Sequence, residues 1–234
     1  VTRGATAFQA VIFDLDGVLV DSEPLLFEAE RVALAAYGAE LTPAIKEPFI
    51  GLGGRDVLAA LARRFDLDVD LAELGARKMA AYLDLVSRVA GFAPTAALVR
   101  GLQADGVPLA IASGSTPGAI DAALGAIGLR DAFEVRVSTH DVARGKPAPD
   151  VFLLAAERLG AEPAACVVVE DAVHGVRAAL AAGMRCIAIP SVADPLDPTF
   201  AEADLLVPGG MAQAEAGMLL DWVRAAGRTA TTTP

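Results

Sequence analysis

Asp14 and Asp16, in Asp14-Leu15-Asp16-Gly17, are acids at a spacing that can do chemistry. In an extended segment residues i and i+2 point the same way, so both carboxylates can face one substrate. One can attack phosphorus while the other handles the proton of the leaving group. Gly17 permits a sharp turn close to the ligand. Further along the chain stand Ser113 in Ala112-Ser113-Gly114-Ser115, Lys146 in Gly145-Lys146-Pro147, and the adjacent acids Glu170 and Asp171. Clustered carboxylates repel and are costly to bury without a counter-charge. A hard divalent cation resolves that conflict, and magnesium prefers a few carboxylate oxygens together with water and a substrate phosphate. Lys146 adds a fixed positive charge, while the Ser113 hydroxyl and nearby backbone N–H groups, Gly114 among them, suit a phosphoryl oxygen. Together these groups point to phosphoryl transfer.

Such residues need a scaffold that brings them together. Short apolar runs at 10–13, 108–112, 135–138, 166–169 and 186–189 read as buried parallel strands, apolar on both faces. Helical patterns at 95–104, 118–127, 150–159 and 173–182 lie between them, three followed by stop glycines, Gly128, Gly160 and Gly183. Alternating strand and helix predict an α/β fold, a wound parallel sheet. In such sheets ligands collect beyond the carboxyl ends of the strands. Asp14 and Asp16, Ser113, Glu170 and Asp171 follow predicted strands directly, and Lys146 comes one loop after another.

The rhythm breaks between about 23 and 89, where only helix-period patterns occur. Leu25, Leu26, Ala29, Val32, Ala33 and Ala36 form one apolar face, with Glu28, Glu30 and Arg31 expected to point away. Further helices are expected over 55–65, entered through Gly51-Leu52-Gly53-Gly54, and over 71–86. At roughly 150 residues per domain, 234 residues give about 1.6 domains. A helical insert accounts for the fraction: a core of 1–22 and 90–234, interrupted by a unit of 23–89. Residues 229–234 read as a polar, disordered tail.

Composition narrows the function classes. Hydrophobic residues make up 54% of the chain and 50 positions are alanine, which describes a packed, helix-rich globule rather than a disordered chain. The net charge of -11 repels polyphosphate backbones, so no nucleic-acid partner is expected. The longest uncharged window, 106–120 with Asp105 before it and Asp121 after it, is broken by prolines and glycines, so no membrane span is expected. Cys166 and Cys186 are too few for a disulfide framework, and with no leader visible a cytoplasmic monomer is the expectation. Only Lys46, Lys78 and Lys146 among 19 basic residues are lysine, so a lysine fixed before a proline suggests a chemical need.

Val11-Ile12-Phe13-Asp14-Leu15-Asp16-Gly17-Val18-Leu19-Val20-Asp21-Ser22 resembles the first motif of the haloacid dehalogenase-like hydrolase superfamily almost in full. Ser113, Lys146 in Gly145-Lys146-Pro147-Ala148-Pro149-Asp150, and Glu170-Asp171 look like its later motifs in the right order. The helical insert is similar to the small cap of the branch holding β-phosphoglucomutase and phosphoglycolate phosphatases. The resemblance implies a Rossmann-like core and an aspartyl-phosphate intermediate on Asp14, with Asp16 as general acid and then base. It implies that Ser113, Gly114 and Lys146 bind the phosphoryl group. Magnesium would be held by Asp14, the backbone carbonyl of Asp16 and Asp171, with Glu170 beside or on it. Mutase members carry a histidine where this chain has Leu26, and usually an asparagine where it has Pro117. Those departures favour a phosphatase of a small phosphorylated metabolite over the alternatives, a phosphate-transferring isomerase or a non-catalytic binding scaffold.

Other residues have weaker claims. Arg55 is a candidate clamp for an anionic substrate, since guanidinium pairs well with such groups, and Lys46 and Lys78 are lesser candidates of the same kind. His140 and His174 read as ordinary loop or helix-start residues, and both cysteines as inert core.

Overall fold

The computed structural model describes residues 8–49, 54–191 and 197–228. The chain enters through strand β1 (Ala10–Phe13) and a short strand β2 (Val20–Asp21). Four helices follow: α1 (Glu23–Ala35), α2 (Pro43–Lys46), α3 (Gly54–Arg64) and α4 (Leu71–Leu85). It returns through β3 (Ala90–Gly91) to α5 (Ala93–Ala104), β4 (Leu109–Ser113), α6 (Pro117–Ala126) and β5 (Val135–Ser138). Then come α7 (Asp150–Leu159), β6 (Cys166–Glu170), α8 (Val173–Ala181), β7 (Arg185–Ala188), β8 (Leu205–Leu206) and α9 (Ala216–Arg228).

Six strands form one parallel sheet in the order β5-β4-β1-β6-β7-β8, a Rossmann-like α/β fold. The two central strands β1 and β6 show why. Ala-Val-Ile-Phe in β1 and Cys-Val-Val-Val-Glu in β6 are buried at every position, as strands covered on both faces must be. Alternate residues feed two separate cores. Val11, Phe13, Ile111 and Val169 face one; Ala10, Ile12, Ala112 and Val168 face the other. In the second core Ala155, Ala156, Ala178 and Ala179 are fully buried, so the alanine-rich helices α7 and α8 contribute small side chains to that layer. From β1 the chain moves to β4 and β5 on one side, then crosses to β6 on the other. That reversal of strand order opens a crevice at the carboxyl end of β1, where wound sheets bind ligands.

The expected strands and helices fall within a residue or two of their observed bounds. Gly128, Gly160 and Gly183 all take the positive φ of helix stops. Three strands escape the sequence reading. β2 and β3 pair antiparallel as a two-residue ribbon at the two crossings, and β8 adds a sixth strand to the sheet. Two residues are too few to show a period. The expected tail 229–234 and the turn at 51–53 lie outside the described residues.

One face of α1 requires correction. Glu30, expected outside, is buried, whereas Val32 is 46% exposed and Ala36 is also exposed. The reason is electrostatic: Lys46 and Lys78 donate to the two oxygens of Glu30 at 2.5 and 2.6 Å. A carboxylate paired twice can enter a core that an unpaired one cannot. Around it Ala33, Leu34, Leu41, Leu58, Leu61 and Leu74 form an apolar cluster belonging to α1, α3, α4 and the loop after α1.

Candidate active site

Asp14 directly follows β1, its N–H donating to the Val169 carbonyl, so the parallel ladder aims this side chain at the crevice. Lys146 reaches the same point from the loop before α7. Its ammonium donates to Asp14 Oδ1 at 2.6 Å, Glu170 Oε1 at 2.5 Å and the Ala112 carbonyl at 3.0 Å. An ammonium has three donors, and three oxygens take them. The Phe152 ring lies 4.9 Å from the same nitrogen and covers it. Arginine's planar fork does not suit a hub with three divergent acceptors.

Glu170 ends β6. Its second oxygen accepts the Asp171 and Ala172 N–H groups at 3.0 and 3.1 Å. Gly175 leaves the space this carboxylate occupies, since a Cβ there would collide with it. Asp171 accepts a hydrogen bond from the Ser191 hydroxyl after β7. Gly17 packs against that carboxylate at φ +79°, where any side chain would be both strained and in collision with Asp171. Asp14, Glu170 and Asp171 each present an oxygen within 4.8 Å of the others, all buried. Asp16 turns elsewhere: its Oδ2 accepts from Ser115 Oγ at 2.7 Å and from Ser113 Oγ at 3.4 Å.

The electrostatics follow from burial. Loss of water pushes the Asp14 carboxyl up to about 7, with Glu170 and Asp16 adding to the rise and Lys146 opposing it. Burial raises Asp171 as well, reinforced by Glu170 and Asp14. For Lys146 burial works downward, but Asp14 and Glu170 outweigh it and hold the ammonium charged above its ordinary value. One ammonium against three carboxylates leaves two formal negative charges, which one divalent cation would neutralise. The donor set is all oxygen, as a hard cation requires.

The family model described as haloacid dehalogenase-like hydrolase matches residues 8–183. The chain belongs to this family. Haloacid dehalogenase-like hydrolases generally use a divalent metal, and the buried acidic cluster fits one. The chain is 33% identical over 183 residues to fructose-1-phosphate phosphatase YqaB of Escherichia coli (strain K12), covering 77% of this chain and 95% of that one. It is 31% identical over 183 residues to the bifunctional riboflavin kinase/FMN phosphatase of Arabidopsis thaliana, covering 78% of this chain but spanning only 48% of that longer protein. Among solved structures, CbbY from Rhodobacter sphaeroides in complex with phosphate superposes with a TM-score of 0.76 at 28% identity, covering 88% of this chain and 99% of that one. No helix among the described residues is long and apolar enough to cross a membrane.

The structure thus brings Asp14, Asp16, Ser113, Lys146, Glu170 and Asp171 to one sheet edge, with Gly114 exposed on the loop after Ser113. Arg55 lies in the first turn of α3, and its side chain is outside the described residues. Lys46 and Lys78, considered as substrate clamps, are committed to Glu30. His140 is exposed, its Nδ1 3.1 Å from Ser138 Oγ, and His174 is exposed in the first turn of α8. Two site residues escaped the sequence reading, Ser115 and Ser191. Ser191 stands two residues past the expected end of the fifth strand, so the strand-end rule carried slightly further would have found it. Ser115 stands two residues beyond Ser113, the same spacing that drew attention to Asp14 and Asp16.

Proposed function

We propose that this hydrolase is a magnesium-dependent phosphatase of a small phosphorylated metabolite, a sugar phosphate or a related ester. The observation that carries this reading is the double commitment of Lys146 to Asp14 and Glu170 beside Asp171, with Asp16 held separately by Ser115. Asp14, Asp171 and the backbone carbonyl of Asp16 would hold magnesium, with Glu170 adjoining. When bound, the ion supplies positive charge against the phosphoryl oxygens and the crowded carboxylates.

An Asp14 oxygen attacks phosphorus, and the bond from phosphorus to the ester oxygen breaks. Asp16 delivers its proton to the departing alkoxide. Asp16, now a carboxylate, takes a proton from water as that water attacks the phosphorus of the aspartyl-phosphate, releasing inorganic phosphate and restoring Asp14. The Ser113 hydroxyl and the Gly114 N–H hold the transferring phosphoryl oxygens, and Lys146 sets its positive charge beside them, exchanging one of its three present acceptors for a phosphoryl oxygen. The helices of residues 23–89 act as a cap that excludes bulk water and selects the leaving group, with Arg55 in the first turn of α3 as the candidate clamp for an anionic substrate. Leu26 packs against the core that Val11 and Phe13 face and offers no hydrogen bond to a proton-transferring acid, which supports hydrolysis over isomerisation. The relatives' activities, fructose-1-phosphate phosphatase among them, support the same substrate class. Two buried free cysteines agree with the cytoplasm as the compartment.

The test is phosphate release from a panel of phosphorylated metabolites, with and without magnesium. Asp14→Asn should abolish release while circular dichroism stays native, and full activity in that variant would overturn the mechanism. Conversion of β-glucose 1-phosphate to glucose 6-phosphate with a bisphosphate primer would instead establish the isomerase. No turnover across the panel would revive the reading of a binding scaffold.

A further inference from the structure

We propose that Ser115 is the positioning residue for Asp16, setting which oxygen of that acid carries the proton; this rests on the reading of Asp16 as proton donor. Among the described residues, both hydrogen bonds to the Asp16 carboxylate come from the end of β4 and the loop after it, and the shorter one is from Ser115. The two serines are not equivalent. Ser113 Oγ accepts the Ser115 N–H at 3.0 Å and lies 3.4 Å from Asp16, at the limit of a useful bond. Ser115 Oγ lies at 2.7 Å, the ordinary distance for a hydroxyl on a carboxylate.

Ser115 is itself held from both sides. Its amide is bound by Ser113, and its carbonyl accepts from the buried Ser138 hydroxyl on β5 at 2.7 Å. The next residue, Thr116, caps α6 by accepting the Ala119 N–H. A serine so pinned presents its hydroxyl in one direction, and a donor on Oδ2 leaves Oδ1 to carry the transferable proton. Orientation therefore comes from the sheet layer, through residues of β4, β5 and their loops. It needs no hydrogen bond from the helices of residues 23–89, where Leu26 has none to give.

Leaving-group dependence tests this. The ratio kcat/KM covers the steps through departure of the leaving group, so later hydrolysis of the aspartyl-phosphate does not enter it. An alkoxide needs a proton to leave, whereas acetate from acetyl phosphate does not. Ser115→Ala should lower kcat/KM by about 10–100-fold for fructose 1-phosphate, or for whichever sugar phosphate the panel shows to be turned over fastest, this being part of the 10²–10⁴ that proton transfer supplies. The same variant should change acetyl phosphate by less than about threefold, and Ser115→Thr should restore the sugar phosphate rate. Equal losses on both substrates, or no loss on either, would overturn the proposal. Asp16→Asn separates the two readings: if it too lost equally on both substrates, Asp16 would not be the proton donor and both would fall. A loss confined to the sugar phosphate in Asp16→Asn, with Ser115→Ala unchanged, would remove Ser115 alone.

Discussion

Glu30→Gln should destabilise the protein by about 3 kcal/mol, although among the described residues Glu30 accepts hydrogen bonds from Lys46 and Lys78 and from none of the active-site groups. Its carboxylate is 1% exposed and lies between Lys46 and Lys78, whose side chains are 7% and 12% exposed. Removing its charge leaves two largely buried ammonium groups whose remaining ion pair among the described residues is that of Lys46 with the more distant Glu23. Breaking a buried ion pair from one side costs roughly 3–5 kcal/mol. The low end applies here for two reasons. Glutamine keeps one oxygen acceptor in the same volume, and Glu23 already stands 3.7 Å from Lys46, so that ammonium retains a partner. In a chain of this length 1 kcal/mol moves Tm by about 2–4 °C, so the shift should be about 6–12 °C. Calorimetry measures it. Amide exchange should place the loss in α1, α2 and α4, which the three residues join. The triple variant Glu30→Leu, Lys46→Met, Lys78→Met supplies the control, because well-packed apolar residues in place of a buried ion cluster are neutral or stabilising. A shift below 2 °C for the single variant, or a triple variant as unstable as the single, would refute the reasoning.

Gly175→Ala should fold yet lose at least about 100-fold in phosphate release, because the new Cβ occupies the place of the Glu170 carboxylate and forces it off Lys146. Calorimetric titration with magnesium should show weakened binding alongside, and wild-type activity would show that Glu170 can move without consequence. Burial pushes the Cys166 thiol up to about 11 and raises Cys186 likewise, so neither forms thiolate near neutrality. Iodoacetamide at pH 7.5 should leave the native protein unlabelled and modify both cysteines in guanidinium, as mass spectrometry would record; labelling of the native fold within minutes would contradict their burial.

The parallel sheet was readable because its strands are buried on both faces, which turns each into a short unbroken apolar run such as Cys166 to Val169. α1 was misread at Glu30 because an amphipathic stripe places every charge outside. The two lysines that permit burial lie 16 and 48 residues further on, beyond any local pattern. The site was legible to the extent that its groups follow strand ends. Asp14, Ser113, Glu170 and Asp171 do so directly, and the sheet order then brings them to one edge. The role of Ser115 was not legible, because its hydrogen bond to Asp16 spans 99 positions. The two-residue spacing of Ser115 from Ser113 marks it as able to face the same site, but does not tell which acid it meets.

The spacing of Asp14 and Asp16 implied two carboxylates directed at one substrate, but equal spacing does not make equal acids. Asp14 meets the Lys146 ammonium and two further carboxylates that call for a cation, so positive charge gathers on its side of the loop. A divalent cation there would favour the anion that a nucleophile requires; without one, burial and the neighbouring carboxylates raise the Asp14 carboxyl despite Lys146. Asp16 meets neutral hydroxyl groups from Ser115 and Ser113, which fix its direction without placing a positive charge against it. An acid that must give a proton and then recover one is better served by such partners than by an ammonium. The two proposed roles are therefore separated by which strand end each carboxylate meets: β6 and the loop before α7 for Asp14, the end of β4 and the loop after it for Asp16. Exchanging those partners would disable both acids, although each would still stand at the carboxyl edge of the same sheet.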